Sequence, residues 1–312
     1  MSQFLQDVVQ GLSAKDKYLN SKYFYDQRGD KLFQQIMACP EYYPAKCEME
    51  IFTQQTSQLA SVLINRVSAF DIVELGAGDA TKSIHLLKEL IQNNITFTYF
   101  PVDISKNVIS LLHEQLPEKL PSLQLHGLNG EYLQMLEKAK TDSHKTKVVL
   151  FLGGNIGNVP LEKAGQFCKQ LRKHLSSGDL LLTGFDLKKD PRLVLAAYND
   201  KSGYTRNFNL NLLQRINDEL YGNFIIENFA HYPTYDPATG ACKSFLVSTI
   251  NQQVMIGEDT FSFAKGEPIF MEIAQKYTVE QTDDLANQSG FTPVSHFFDS
   301  KKWFLDALWQ CM

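Results

Sequence analysis

The sequence lacks the marks of several protein classes. It has no C-x-x-C pair and no H-x-x-x-H spacing, although it contains seven histidines. An odd number of scattered cysteines argues against a disulfide framework or a zinc site, so no metal site is predicted. Five buried, free thiols in a reducing cytoplasm are expected instead. The cysteines are Cys39, Cys47, Cys168, Cys242 and Cys311.

The chain also lacks a basic block and a long apolar run. Its net charge is −5, from 30 basic and 35 acidic residues, which gives no electrostatic footprint for nucleic acid or an anionic membrane. The apolar runs are strand-sized, well short of the ~20 residues of a membrane span. The opening MSQFLQDVVQGLSAKDK is polar and interrupted, unlike a signal peptide. We expect a cytoplasmic monomer that acts on a small molecule, with no nucleic-acid or membrane partner.

What the sequence does contain, in its middle, is an alternation of strand and helix signals. Amphipathic stretches such as TKSIHLLKELIQ (81–92) and LEKAGQFCKQLRKHL (161–175) separate the apolar runs. Such alternation predicts an α/β protein with a doubly wound, Rossmann-like parallel sheet and helices on both faces. The predicted strands are DIVEL (71–75), FTYFPVD (97–103), SLQLHG (122–127), KVVLFLG (147–153) and DLLLTGFDL (179–187).

The alternation stops after Asp186. A helix, FNLNLLQRINDELYG (208–222), is followed by two strands around a DPATG turn, which is typical of an antiparallel hairpin. The first 46 residues are helical and aromatic and also lie outside the alternation. We therefore expect an α/β domain of residues 47–187 plus 277–312. A second, smaller α+β domain would comprise residues 1–46 plus 188–276.

The end of the first strand indicates a ligand. In E-L-G-A-G-D-A-T (74–81), two glycines allow a tight turn, but Thr81 stands where a nicotinamide dinucleotide fingerprint has its third glycine. An E-x-G-x-G turn is the usual signature for S-adenosylmethionine (SAM), which has no pyrophosphate. Asp103 ends the second strand, where a carboxylate can accept both ribose hydroxyls, and Glu131-Tyr132 follow the third. A glycine turn needed only for packing, and a nicotinamide site, are the alternatives.

The fourth strand leads into a neutral turn, FLGGNIGNVP (151–160). It resembles a phosphate loop but has no lysine and no charge. Its glycines allow the backbone to approach a ligand closely, and Asn158 is a polar candidate at the strand end.

Several motifs in the same order resemble the histidine-specific Nα-methyltransferases of ergothioneine biosynthesis. That family carries a W/Y-F-Y-D-x-x-G-x-x-L-F…P-E-Y-Y-P-T-R-x-E pattern near its start, V-E-L-G-S-G at its first strand and F-L-G-S-T-I-G-N at its fourth. The resemblance extends from about residue 18 to the last strand. The matching stretches are SKYFYDQRGDKLFQQIMACPEYYPAKCEMEIF (21–52), VELGAG (73–78), FLGGNIGN (151–158), FDLKKDPRLVLAAYND (185–200) and FNLNLL (208–213).

The resemblance implies both an activity and a set of site residues. The activity is SAM-dependent methylation of the α-amino group of a free amino acid, L-histidine first, giving the trimethylated betaine. The larger domain would bind SAM and the smaller one the amino acid. The implied SAM contacts are Gly76, Lys82, Asp103, Glu131 and Tyr132. The implied amino-acid contacts are Tyr25, Tyr42, Gly153, Asn158, Tyr198 and Glu272, with Asn158 and Tyr25 assigned to the methyl-transfer step.

The chemistry suits this set of residues. Methyl transfer to an amine is an in-line displacement that needs a neutral, aligned and desolvated nitrogen, so catalysis is mostly positioning. A neutral asparagine fits that task, because a carboxylate would favour the ammonium form of the amine. Tyrosine faces stabilise the methylated cation, and Glu272 can accept a hydrogen bond from an imidazole N–H.

The chain departs from the family pattern in the last pocket strand. The family has T-E-V-S-C-K-F where this chain has MEIAQKY (271–277), so Glu272 is kept and the serine that helps bind the imidazole is Ala274. An alignment with one gap also places Ser244 where the family has a methionine. Two smaller side chains admit a larger ring. The same reaction on a tryptophan-like amino acid or a modified histidine is therefore an alternative, and so is a non-catalytic SAM- or amino-acid-binding protein.

Overall fold

The computed structural model describes residues 2–312, and the chain in it divides into two compact units. Unit 1 comprises the chain up to Tyr43 together with Lys189–Ala274. Unit 2 comprises Pro44–Lys188 and Gln275–Met312. Elements are numbered along the whole chain, and each unit is described separately.

Unit 2 is built on one mixed sheet. Its strands run in the order β12-β13-β6-β5-β1-β2-β3, and β4 also pairs with β2. Every residue of β1 and β6 is buried, which is the pattern of strands covered on both faces. The strands are β1 (Phe70–Leu75), β2 (Thr98–Asp103), β3 (Gln124–Leu125), β4 (Leu128–Asn129), β5 (Thr146–Phe151), β6 (Leu180–Asp186), β12 (Phe291–Phe298) and β13 (Phe304–Cys311).

The Rossmann-like α/β fold predicted from the sequence is confirmed, with two corrections. First, the sheet is not wholly parallel: β13 runs antiparallel to both β6 and β12, because the short connection after β12 has no crossover helix. Second, only Gln124–Leu125 of the predicted strand 122–127 forms a strand, and a further short piece, Leu128–Asn129, follows it; both pair with β2. The break falls at Gly127, where a Cβ atom would lie 2.7 Å from Nε2 of His113.

Helices lie between the strands of unit 2 and begin at identifiable caps. The Ser105 hydroxyl accepts from the Val108 N–H at 3.3 Å and so caps the helix after β2. Thr278 and Gln281 form a capping box at the helix before β12. The helices are α3 (Tyr43–Gln54, whose first residue belongs to unit 1), α4 (Thr56–Arg66), α5 (Ser83–Gln92), α6 (Lys106–Lys119), α7 (Tyr132–Asp142), α8 (Leu161–Lys173) and α11 (Val279–Gln288).

Unit 1 has its own apolar core, in which α10 packs against α2 and β7. Helix α10 begins at Tyr204, four residues before the predicted start, because the Asp200 carboxylate caps its first turn. Strands β7 and β8 form the predicted antiparallel hairpin. The elements are α1 (Gln3–Ser13), α2 (Gln27–Ala38), α9 (Pro191–Ala197), α10 (Tyr204–Leu220), β7 (Phe229–Asp236), β8 (Ala241–Ser248), β9 (Gln252–Ile256), β10 (Asp259–Phe263) and β11 (Pro268–Gln275).

All five cysteines are buried and free. Within residues 2–312, no helix combines the length and the apolar character that crossing a membrane requires.

Candidate active site

The turn after β1 approaches two polar side chains closely. Gly76 has φ +73°, and a Cβ atom there would lie 2.9 Å from the Tyr132 hydroxyl and 3.1 Å from Nδ2 of Asn155. The Gly76 N–H donates to the Val102 carbonyl at 2.8 Å, which ties the turn to β2. A side chain at position 76 would therefore be strained and would fill the space between these polar groups.

Asp103, the last residue of β2, has a fixed carboxylate. One oxygen accepts from the Gly78 N–H at 3.1 Å and the other from the Ser105 N–H at 2.9 Å. These two backbone bonds orient the carboxylate. Asp103 thus joins the turn after β1 to the end of β2, and its contact with ribose hydroxyls stays a prediction.

Glu131 and Tyr132 lie at the start of α7. Glu131 is exposed at the N-cap, where a negative charge is favoured by the helix dipole. Tyr132 is the first helical residue, and its ring packs edge-on against Phe151 with 5.5 Å between the ring centroids. Burial raises the pKa of Tyr132 above its ordinary value, so its hydroxyl stays protonated and able to donate.

Lys82 precedes α5 and forms an ion pair with Glu48 of α3. Burial acts to lower the pKa of Lys82, but the Glu48 carboxylate outweighs it, so the net shift is upward and Lys82 stays charged. A Cβ atom on Gly153 would lie 3.8 Å from the Lys82 ammonium. The lysine expected to bind SAM therefore adjoins the turn expected to bind the amine.

That second turn follows β5. Gly153 and Gly154 both have left-handed backbone angles, φ +75° and +69°, and lead into a 3-10 helix, Asn155–Asn158. The Gly153 N–H donates to Glu48, so the group this residue can offer an amine is its carbonyl. Asn158 is exposed at the end of the 3-10 helix. The structure thus places Asn155, and not Asn158, beside Gly76.

Two of the predicted amino-acid contacts lie against each other in unit 1. The rings of Tyr42 and Tyr198 meet edge-on, with 6.2 Å between their centroids. Tyr198 packs against the small cluster that contains Ala274, which is 8% exposed. Glu272 lies two residues earlier in β11 and is half-buried. Ser244, which is 1% exposed, lies in β8, the strand next to β11.

Tyr25 is held in the core of unit 1 by neighbouring motif residues. Its ring contacts Phe33 and Phe208 edge-on, with centroids 5.7 and 5.6 Å away. The next residue, Asp26, accepts from the Gly29 N–H at 2.6 Å and from the Asn211 amide at 2.9 Å. These bonds explain why Y-D-x-x-G and F-N-L-N occur in one chain, since the second motif fixes the first.

The segment after Tyr198 is fixed in a similar way. Asp200 is 6% exposed and accepts from the Tyr204 and Thr205 N–H groups, both at 2.8 Å. Burial alone would raise the pKa of Asp200, but these bonds outweigh it and lower the pKa. They also give partners to first-turn N–H groups of α10, which have none within the helix. The carboxylate therefore sets the position of Tyr198 relative to α10.

Two residues that lie beside the glycine turns were not predicted from the sequence. Glu48 closes the P-E-Y-Y-P-x-x-x-E motif, and that position was the signal for it. Asn155 stands where the family pattern has threonine, and only the position of its side chain beside Gly76 gives it a role.

The residues of unit 2 fit SAM. The space that a Cβ atom on Gly76 would fill is bounded by a hydroxyl and an amide, Asp103 supplies a fixed carboxylate and Lys82 a cation. These are the donors and acceptors that the ribose and the amino-acid part of SAM require. The turn lacks the third glycine that a dinucleotide pyrophosphate needs. Among residues 2–312, no cluster of histidine, cysteine or carboxylate side chains could hold a metal ion.

Known proteins resemble this chain along most of its length. It is 31% identical over 274 residues to a histidine N-alpha-methyltransferase of Mycobacterium tuberculosis, covering 87% of this chain and 84% of that protein. It is 31% identical over 290 residues to ergothioneine biosynthesis protein 1 of Neurospora crassa, covering 91% of this chain but only 32% of that longer protein. An L-tryptophan methyltransferase of Psilocybe serbica is 24% identical over 320 residues, with 94% and 89% covered.

The model of one family, described as histidine-specific, SAM-dependent methyltransferases, matches residues 4–311. This match includes both units and all the site residues described above. The chain belongs to that family of histidine-specific, SAM-dependent methyltransferases and is a SAM-dependent N-methyltransferase.

Proposed function

We propose that the enzyme transfers methyl groups from SAM to the α-amino group of free L-histidine and forms the trimethylated betaine. The observation that carries this proposal is the histidine-specific family match over residues 4–311. The identity to the histidine enzyme of Mycobacterium tuberculosis, 31%, exceeds the 24% identity to the tryptophan enzyme of Psilocybe serbica.

Unit 2 supplies the proposed SAM contacts: Gly76, Lys82, Asp103, Glu131 and Tyr132. Asp103 accepts from the ribose hydroxyls, Lys82 pairs with the amino-acid carboxylate, and Glu131 and Tyr132 contact the adenine. When bound, SAM supplies an electrophilic methyl group on a sulfonium. The task left to this chain is to hold an amine in line with that methyl and in its neutral form.

The turn after β5 is proposed to hold the amine. The Gly153 carbonyl and the Asn158 amide oxygen can accept from the amine N–H groups without adding a charge. A carboxylate in their place would raise the pKa of the amine and disfavour the reactive form. Each of the first two methylations leaves a proton that must depart before the next, whereas the third leaves a permanent cation.

Unit 1 supplies the proposed contacts to the rest of the amino acid. Tyr42 and Glu272 contact the imidazole, Tyr198 the carboxylate, and Tyr25 adds an aromatic wall. The Glu272 carboxylate accepts from an imidazole N–H, and tyrosine faces attract the methylated cation. Because Ala274 replaces the serine of the family pattern, a bound imidazole would make one hydrogen bond fewer here than in enzymes with that serine.

Incubation of the enzyme with SAM and each common amino acid, followed by mass spectrometry, tests the proposal. L-Histidine should gain one, two and then three methyl groups. Product from tryptophan or another amino acid, without product from histidine, would replace histidine as the substrate. SAM binding without any methylated amino acid would instead make the chain a sensor.

We further infer that the enzyme works as a monomer in the cytoplasm. Its five buried, free thiols suit a reducing compartment, where such thiols stay reduced. Analytical ultracentrifugation at micromolar concentration should give the mass of a single chain. A species of twice that mass would contradict the monomer.

A further inference from the structure

Glu48 is a buried carboxylate for which the proposed function has no role. It lies on α3 and is 1% exposed. A carboxylate removed from water is costly unless charged and hydrogen-bonding partners compensate it. The contacts of Glu48 must therefore compensate the cost of burying its carboxylate.

Two partners of Glu48 belong to the proposed site. The Gly153 N–H donates to its two oxygens, at 2.7 and 3.0 Å, and the Lys82 ammonium pairs with it. One carboxylate thus holds the backbone of the turn assigned to the amine and the side chain assigned to SAM. Both bonds involve an ionised group, which makes them about twice as strong as neutral hydrogen bonds.

The sheet of unit 2 leaves room for this carboxylate. Gly184 lies in β6, and a Cβ atom there would approach Oε1 of Glu48 to 2.5 Å. Its φ is not in the left-handed region, so the need for glycine comes from this close approach. Directly opposite Gly184 in register, on β13, is Asp306, which is fully buried.

Two titratable side chains near Glu48 have raised pKa values. Burial, followed by the negative charge of Glu48, raises the pKa of Asp306 well above its ordinary range, so Asp306 favours its neutral form. Burial acts to lower the pKa of Lys82, but the Glu48 carboxylate outweighs it, so Lys82 keeps its positive charge. Glu48 therefore faces a cation and a neutral carboxyl group.

We propose that Glu48 is a positioning residue for methyl transfer, whose carboxylate holds the Gly153 turn and the Lys82 ammonium in place together. The proposal rests on the proposed function, because Gly153 and Lys82 matter through their assigned contacts. It goes beyond that function because one carboxylate would position both a cofactor contact and the turn that holds the amine.

Glu48→Gln tests the proposal, because glutamine keeps the shape and one acceptor oxygen but removes the charge. The SAM dissociation constant, measured by calorimetry without amino acid, should rise about tenfold, since Lys82 loses the partner that orients it. The kcat with saturating substrates should fall at least tenfold. Glu50→Gln is the matched control: Glu50 lies on the same helix, and its carboxylate accepts from the Ser300 N–H at 2.8 Å. The constants of this variant should stay within twofold of the wild type.

A purely structural role predicts a different result. Glu48→Gln would then lower the melting temperature while the folded protein kept its SAM affinity, KM and kcat, and that outcome would overturn the proposal. Should Glu48→Gln not fold, the wild-type protein labelled with ¹⁵N-glycine gives a second test. The Gly153 amide, assigned by its loss in Gly153→Ala, should resonate at low field and exchange slowly. Exchange as fast as that of an exposed turn amide would overturn the proposal.

These measurements separate the two proposals. If histidine is not methylated, the proposed function fails, yet the calorimetry and the Gly153 amide still report on Glu48. If histidine is methylated but Glu48→Gln behaves as the wild type, only the role of Glu48 fails.

Discussion

Position 274 is the residue where this chain differs most clearly from the pattern of its family. Ala274 belongs to a small buried cluster with Val194 and Cys242, and the proposed substrate contact Tyr198 packs against that cluster. An alanine offers no hydrogen bond where the family pattern has a serine hydroxyl. The difference concerns affinity, since one hydrogen bond contributes only about 0.5–1.5 kcal/mol.

Ala274→Ser should therefore lower the KM for L-histidine by up to roughly tenfold and change kcat little. The hydroxyl restores one hydrogen bond to the imidazole without altering the amine side of the site. Steady-state kinetics with histidine varied at saturating SAM measure the effect. Ala274→Cys is the control, because a thiol adds a group at the same position that is larger than a hydroxyl but donates only weakly. This variant should leave KM close to the wild-type value. An equal fall in KM for both variants would attribute the effect to size.

Asn158 is the residue on which the assignment of the amine site depends. Asn158→Ala should lower turnover at least a hundredfold and leave SAM affinity nearly unchanged, because the Asn158 amide is proposed to orient only the amine. Turnover by mass spectrometry and SAM binding by calorimetry measure the two effects. A loss of SAM affinity would instead place Asn158 in the cofactor pocket.

At the scale of elements, the strand-end turns decide what the sheet can bind. Gly76 and Gly178 both have positive φ, +73° and +91°, but only Gly76 has side chains close to the place of a Cβ atom. An alanine at either position costs about 1–2 kcal/mol of backbone strain. At Gly76 it would also meet the Tyr132 hydroxyl and the Asn155 amide.

Gly76→Ala and Gly178→Ala should therefore separate strain from obstruction. Both variants should unfold at a lower temperature, but only Gly76→Ala should lose SAM affinity, by tenfold or more. Thermal unfolding and calorimetry on the same samples measure both effects. Equal SAM affinity in the two variants would show that the turn after β1 does not contact the cofactor.

The elements of unit 2 were predictable where buried residues repeat in a regular way. The predicted strands DIVEL, FTYFPVD, KVVLFLG and DLLLTGFDL are all present. The prediction failed at 122–127, where only Gln124–Leu125 is a strand and where Gly127 lies so close to His113 that a Cβ atom would not fit. Helix α10 begins four residues before its predicted start, because the Asp200 carboxylate accepts from the N–H groups of its first turn. Local patterns do not contain such tertiary contacts.

The candidate site was less predictable than the fold for the same reason. Glycines and acids at strand ends are visible in the sequence, but the family resemblance was needed to select Tyr42, Tyr198 and Glu272 among many similar residues. The bond from Gly153 to Glu48 joins residues 105 positions apart, and no spacing rule relates them. The SAM fold could thus be read from pattern, whereas the contacts that hold its turns could not.

At the scale of the whole molecule, the buried carboxyls link stability to pH. Burial raises the pKa of Glu74 from 4.5 to about 7, against the opposing hydrogen bonds from Ser83 and Tyr99. Between these two values the folded state binds a proton that the unfolded state has lost. The contribution of Glu74 to stability is therefore complete below pH 4.5 and is lost as pH rises through 7.

Glu74→Gln should remove this dependence while keeping an acceptor for the Tyr99 hydroxyl. The wild type minus variant difference in unfolding free energy should fall as pH rises from 4.5 to about 7 and be flat below pH 4. Urea unfolding at a series of pH values measures it. A difference that is constant across this range would mean that Glu74 titrates alike in the folded and unfolded states.

The central claim is that the enzyme methylates the α-nitrogen of L-histidine. Its most direct test is mass spectrometry of the product formed from L-histidine and SAM that carries a deuterated methyl group. The account predicts a product with three labelled methyl groups that loses labelled trimethylamine on fragmentation, which places all three on the α-nitrogen. Label on a ring nitrogen, or no labelled histidine from an enzyme that labels tryptophan, would contradict it.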